Sequence, residues 1–343
     1  MDTPSLILGN SNKRFSGVTS TMLQTLPEVQ ARMPLTVLGA HHLPDDTPTI
    51  TFRELAKLRG ESRLFHARRN DEMIQALLAR KLGSPLKIVF TSTAQRHHSR
   101  FTRFLMSKMD GIITTCSAAE SYLKKKADIV IPHGIDLTRY QPPSDKKQAW
   151  QKLGFPGEYG IGIFGRVRPQ KGIDLLVDAA IPLLKKDPAP TIVIVGETTP
   201  KFQDYQRQLQ TKIDEADLSK RIIFHGNRPS DELPSLFQGM SLVAALSRNE
   251  GFGLTVLEAM ACQCAVLASH AGAWRDIITE DTHGLTVPCD DLEATSTALT
   301  TLLNRHPEHL TMGTAGRAHV KEHYTIAREA TSLTEFYKKV LAS

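Results

Sequence analysis

Short apolar runs alternate along this chain with longer stretches in which apolar positions recur every three or four residues. Runs of the first kind fit strands buried on both faces and stretches of the second kind fit amphipathic helices, so the alternation predicts parallel sheets with helical crossovers. In the first half, strands are expected at 6–8, 35–38, 87–90, 111–114 and 129–131, and helices at 18–28, 71–81, 100–108 and 118–125. The stretch 43–64 is rich in Pro, Asp and basic residues and does not read as regular core. Adjacent Pro142 and Pro143, followed by a charged run, have the composition of a domain boundary. The alternation then restarts, with strands expected at 160–164, 191–195, 221–224, 241–246, 265–268 and 284–287. Helices are expected at 173–184, 202–215, 230–239, 254–261 and 291–303, and a long amphipathic one at 326–341. The fold class is therefore α/β, two Rossmann-like domains facing a central cleft, with boundaries at 1–152, 153–325 and 326–343.

Length and composition support this reading. A chain of 343 residues is long for one core and right for two domains. With 41% hydrophobic and 23% charged residues it is neither disordered nor fibrous. The formal charge of +6 fits attraction to phosphates, a nucleotide-linked substrate or an anionic membrane face. Cys116, Cys262, Cys264 and Cys289 form neither a redox CxxC nor a zinc pattern, which favours a reducing compartment. The first apolar run is too short for a signal peptide, and no uninterrupted apolar segment is long enough to span a bilayer. A cytoplasmic protein is expected.

The most informative chemistry lies in GIFGRVRPQKGIDLLVDAA, residues 162–180. A strand runs into Gly165, Arg166, a short polar loop, Lys171 and Gly172, and then a helix. Glycines let backbone amides approach an anion, the helix start adds partial positive charge, and the two cations complete a diphosphate clamp. In ALSRNEGFGLTVLEAMACQCAVLAS, residues 245–269, Glu250 precedes a helix start and Glu258 lies within the helix. The amides of Gly253, Leu254 and Thr255 are placed to meet a phosphate, and an ionised glutamate accepts hydrogen bonds from sugar or ribose hydroxyls. A glycosidase pair would have no use for the phosphate clamp. A third loop, 269–288, offers Ala271, Gly272 and Ala273 for close approach, while Trp274 reads as packing.

The first half is less explicit. FSGVT brings Gly17 to a helix start, with Phe15 and Val18 equally suited to the core, and no GxGxxG is present. The run 91–104 concentrates Arg96, His97, His98, Arg100 and Arg103 at the end of a strand. Arg53, Lys57, Arg59, Arg63 and HARRN at 66–70 form a second cationic group, expected as a basic face for an anionic acceptor or membrane headgroups. Nucleic acid is not expected, because the cationic groups read as lacking aromatics and so offer no stacking platform. No metal site is expected: there is no Asp-x-Asp after a strand, and the pairs His41–His42 and His97–His98 are adjacent.

Taken in order, these segments resemble the retaining glycosyltransferases of family 4, which have the two-domain GT-B fold. The carrying residues are Gly165, Arg166, Lys171 and Gly172; Glu250 and Glu258 of EGFGLTVLE, similar to the family's E-x7-E pattern; LASHAGAWRDII; Gly17; and IPHGIDLTRYQP, with His133 where the family has asparagine. The resemblance implies an acceptor-binding first domain, a donor-binding second domain and a last helix returning to the first. It implies that Arg166 and Lys171 hold the donor diphosphate, Glu250 contacts donor sugar hydroxyls and Glu258 the ribose, with the backbone from Phe252 to Thr255 cradling the donor. The family places a histidine near the transferred sugar where this chain has Thr91, which leaves His98 or His97 to substitute from a few residues on, with His98 as the candidate. Within the family, FHARRN and FTSTAQRHHSRFTRFLMSKMDGI resemble alpha-proteobacterial mannosyltransferases of the lipopolysaccharide core. That implies GDP-mannose as donor, no further cofactor, an anionic glycolipid acceptor, and peripheral contact with the inner membrane. The alternatives are a nucleotide-sugar 2-epimerase, a phosphorylase or other enzyme of the same fold, or a non-catalytic sugar- or anion-binding module.

Overall fold

The computed structural model describes residues 4–13 and 16–343; Phe15, assigned above to helix start or core, lies outside them. The chain divides into two compact units, Met1–Gly134 with Thr325–Ser343, and Ile135–Tyr324.

The first unit holds a seven-stranded parallel sheet: β1 (Leu6–Gly9), β2 (Leu35–Leu38), β3 (Thr49–Ile50), β4 (Arg63–Ala67), β5 (Leu86–Ser92), β6 (Gly111–Thr114) and β7 (Ile129–Val130), ordered β3-β2-β1-β4-β5-β6-β7. Alternate strand residues go to opposite faces. Leu6, Leu8, Leu64 and Val89 pack against Met22 and Leu26 of helix Gly17–Gln30 and against Leu333, Phe336 and Tyr337 of helix Ile326–Ala342. Ile7, Phe65 and Phe90 pack the other way, against Met73 and Ala76 of helix Asn70–Lys81.

The second unit holds a six-stranded parallel sheet: β8 (Tyr159–Phe164), β9 (Pro190–Val195), β10 (Ile222–Gly226), β11 (Met240–Ala245), β12 (Ala265–Ser269) and β13 (Gly284–Val287), ordered β10-β9-β8-β11-β12-β13. Ile173, Leu176, Val177, Ala180 and Leu184 form the buried stripe of helix Ile173–Leu184, at helical spacing. In each sheet the strand order reverses once, between β1 and β4 and between β8 and β11. Open α/β sheets bind ligands outside the carboxyl ends of the strands at such points.

Several expectations are corrected. The units part at Gly134–Ile135, not after residue 152. The reason is Trp150: it is buried, stacks on Phe155 with centroids 5.6 Å apart and donates its indole N–H to Gly157 O at 3.1 Å, which fastens helix Lys146–Lys152 to the second unit. The stretch 43–64 is structured: it supplies β3, helix Phe52–Lys57 capped by Thr51, and the start of the central strand β4, with Leu55 and Leu64 fully buried. The helix expected at 118–125 is only Ser117–Ser121, and helix His309–His323 was not foreseen. Among the described residues no helix is long and apolar enough to cross a membrane.

The last helix belongs to the first unit's core. Phe336 lies against Gly111, and Tyr337 is fully buried. Burial of each such aromatic contributes roughly 1.5–3 kcal/mol. Deleting residues 325–343 is therefore expected to abolish cooperative unfolding of the first unit in calorimetry; an unchanged thermogram would refute this.

Candidate active site

At the second sheet's reversal point, the loops leaving β8 and β11 meet. Gly165 has φ of +136°, and the Lys171 side chain runs across it, with Cε 3.0 Å from where a Cβ would stand. Lys171 Nζ donates to Glu250 Oε2 at 2.5 Å, both side chains being mostly buried, and Ser247 Oγ lies 3.4 Å from the same oxygen. Two helices begin here, Ile173–Leu184 and Leu254–Ala261. Each has a left-handed glycine as N-cap, Gly172 at φ 66° and Gly253 at φ 89°, and neither has a side-chain cap. Elsewhere Ser16, Thr51, Ser99, Asp145, Asp291 and Thr325 cap helices with side-chain oxygens. A glycine cap leaves first-turn amides for another acceptor; at Ile173–Leu184 the Tyr205 hydroxyl oxygen already takes the Asp174 N–H at 3.1 Å, so the start of Leu254–Ala261 is the one better suited to an anion.

The third loop packs against the start of helix Leu254–Ala261. Trp274, read above as packing, is buried, and its indole N–H donates to Gly253 O at 2.8 Å. Ala273 N–H donates to the carbonyl of buried Phe252 at 2.9 Å. Lys171, Ser247, Thr255, Trp274 and Phe164 line one small cavity. Arg166 is not among its walls: it is exposed, and its guanidinium makes no hydrogen bond or ion pair among the described residues.

Three residues not singled out from sequence hold this arrangement. Arg248 pairs with Asp174 at 2.7 Å and Asp290 at 2.6 Å, and its N–H donates to Gln170 O at 2.8 Å, which ties the loop after β11 to the loop after β8. Asp174 sits in the first turn of its helix, where a carboxylate suits the dipole, and Arg248 and Tyr205 favour its ionised form against the cost of burial. Tyr140 is buried and donates its hydroxyl to Glu258 Oε1 at 2.9 Å. Burial raises the Glu258 pKa, and the Tyr140 hydrogen bond opposes that shift. Tyr140 lies in the IPHGIDLTRYQP segment, so part of that motif serves to orient Glu258. His133 instead bonds Glu329 on the last helix, Nδ1 to Oε1 at 2.7 Å.

Gly17 and His98 belong to the first unit. Gly17 opens helix Gly17–Gln30 after the cap Ser16 and has open space where a Cβ would go. His98 Nε2 lies 2.8 Å from Ser92 Oγ, and burial, then Arg96 and Arg103, lower its pKa. The basic face expected around 53–70 is only partly one: Arg53, Lys57 and Arg59 are exposed, but the other basic residues of the group are not. Arg63 and His66 are buried, and Arg69 is engaged by Glu72, Ser16 and Thr19. Arg63 and His66 lie within β4, whose side chains are covered on both faces. The aromatic reading is also corrected: Phe101 and Phe104, on helix Arg100–Met106, are more than half exposed beside Arg100. Among the described residues no three His, Cys, Asp or Glu side chains cluster as metal ligands.

The family model for glycosyl transferases group 1 matches residues 145–319. The lipopolysaccharide core biosynthesis mannosyltransferase LpcC of Rhizobium leguminosarum bv. viciae is 37% identical over 98% of this chain and 96% of its own. The crystal structure of the C-terminal domain of LpcC, a glycosyl transferase group 1 family protein from Francisella tularensis, is 39% identical, covering 56% of this chain and 99% of that one, with a TM-score of 0.54. Anabaena Alr3699/HepE in complex with UDP shares the fold, with a TM-score of 0.83 over 98% of this chain and all of its own, at 19% identity. The chain belongs to the group 1 glycosyltransferases and has their GT-B fold.

Proposed function

We propose that this enzyme transfers mannose, with retention at the anomeric carbon, from GDP-mannose to an anionic acceptor of the lipopolysaccharide core. The observation that carries the donor chemistry is the Lys171–Glu250 pair set between two glycine-capped helix starts at the sheet's reversal point. Such a site suits a diphosphate joined to a sugar: amides and ammonium face the phosphates, and the carboxylate faces hydroxyls. Likeness over nearly the whole chain to a relative named for mannosyl transfer in core biosynthesis supports the sugar and the acceptor.

In this reading Lys171, Arg166 and the Leu254–Thr255 amides stabilise charge that grows on the departing diphosphate, without a metal ion. Because that charge is largest in the transition state, these contacts act on rate more than on affinity. Glu250 holds Lys171 in place and accepts from the sugar, and Glu258, steadied by Tyr140, accepts from the ribose. The leaving phosphate takes the acceptor's proton on the same face. His98, 2.8 Å from Ser92 Oγ, is the first unit's candidate for contact with the transferred sugar. The exposed Phe101 and Phe104 beside Arg100 suit contact with anionic lipid at the cytoplasmic face of the inner membrane.

The test is nucleoside diphosphate release by the purified protein with GDP-mannose and a panel of UDP-sugars, with and without a lipid A core acceptor. Acceptor-dependent release from GDP-mannose is expected. Release from a UDP-sugar alone would overturn the donor, and consumption of donor without acceptor would favour the epimerase.

A further inference from the structure

Beside the first sheet's reversal point, on β4, β5 and the last helix, stands a buried hydrogen-bonded chain that the donor chemistry does not use. Tyr337 Oη lies 2.6 Å from His66 Nδ1, and His66 Nε2 lies 2.7 Å from Thr91 Oγ1. Tyr337 is fully buried, His66 is 1% exposed and Thr91 8%. Burial, then the charge of Arg68, keeps His66 neutral, so one ring nitrogen carries the proton. The Tyr337 hydroxyl has no other partner among the described residues, and a buried donor left unmade is costly. It therefore donates to Nδ1; Nε2–H then donates to Thr91 Oγ1, and the proton of Thr91 is left to point elsewhere.

Arg68 immediately follows β4. The register pairs His66 with Val89 and Ala67 with Phe90, so Arg68 leaves β4 next to Thr91 of β5, and its charge acts on both His66 and Tyr337. Its Nη1 is buried without a partner among the described residues, whereas both terminal nitrogens of neighbouring Arg69 are hydrogen-bonded. Two donors thus stand unanswered at the strand ends where this sheet class binds ligands. Donors of this kind, one of them a guanidinium, select an acceptor-only group.

We propose that Arg68 and Thr91 form a subsite for an oxyanion of the acceptor substrate, a carboxylate or a phosphate, with His66 and Tyr337 as positioning residues that aim the Thr91 proton. The proposal rests on the reading that the first unit takes an anionic acceptor, and it is tested by binding, independently of donor turnover. Full-length protein labelled with 15N-histidine is titrated with glucuronate, glucose 6-phosphate and glucose while the His66 ring nitrogens are followed, assigned by their loss in His66→Gln. The expected result is an Nε2-protonated His66 whose signals shift saturably with at least one anionic sugar and not with glucose; the two anions distinguish carboxylate from phosphate. Arg68→Gln is expected to weaken that binding at least tenfold and Arg68→Lys to recover part of it. An Nδ1-protonated His66, no response to either anion, an equal response to glucose, or unchanged binding in Arg68→Gln would each overturn the proposal.

Discussion

Lys171→Ala is expected to lower turnover by roughly 100- to 1,000-fold at saturating donor, the range for loss of one donor to a developing oxyanion. The structure gives two reasons for a loss at the upper end. The ammonium crosses directly over Gly165 and is held there by Glu250 at 2.5 Å, so it is already positioned before substrate arrives. Its removal also leaves the Glu250 carboxylate without its cation, next to a diphosphate that it repels. Because the two residues act as a unit, the double variant Lys171→Ala/Glu250→Ala is expected to be much less impaired than the product of the single losses. Arg166→Ala, which removes an exposed guanidinium with no protein partner among the described residues, is expected to lose only about tenfold, below that range. Initial rates of nucleoside diphosphate release at several donor concentrations separate kcat from KM. A Lys171→Ala enzyme within threefold of wild type would remove this residue from the mechanism.

Gly172→Ala is expected to destabilise the second unit and to abolish most activity. The residue has φ of 66°, and a Cβ there would overlap the carbonyl oxygen of Leu246, at the exit of β11. A non-glycine residue held in this region costs about 1–3 kcal/mol before the overlap is counted. For a unit of this size that corresponds to a fall of several degrees in melting temperature. The displaced Leu246 carbonyl lies four residues before Glu250, so the loop bearing the glutamate moves with it. Gly17→Ala is the control: its Cβ meets no atom within 4 Å, and thermal stability is expected to be unchanged. Scanning calorimetry of both variants checks the contrast, and a Gly172→Ala protein melting with wild type would show that the turn is more permissive than its geometry implies.

The two units differ in how well they could be read. In the second, helices Ile173–Leu184 and Leu254–Ala261 and strand Gly284–Val287 stand where the hydrophobic period placed them, because each apolar stripe is continuous and each start is marked by glycine. In the first, β4 was missed because its sequence, RLFHA, puts Arg63 and His66 into a strand that is buried throughout. Pattern reading treats such residues as surface, and only their partners show otherwise: backbone carbonyls for Arg63, and Thr91 and Tyr337 for His66.

The sequence by itself determined the class of fold, the order of most elements and the glycine-and-cation loops of the donor site, because these depend on local periodicity and on residues close in the chain. Tertiary structure alone decided that Tyr140 steadies Glu258 across 118 positions, that Arg248 ties two loops together, and that Tyr337 reaches His66 across 271. The physical reason is that a hydrogen bond or ion pair depends on distance in space and on burial, and neither is encoded in the spacing of two residues brought together only by the packing of strands and helices between them.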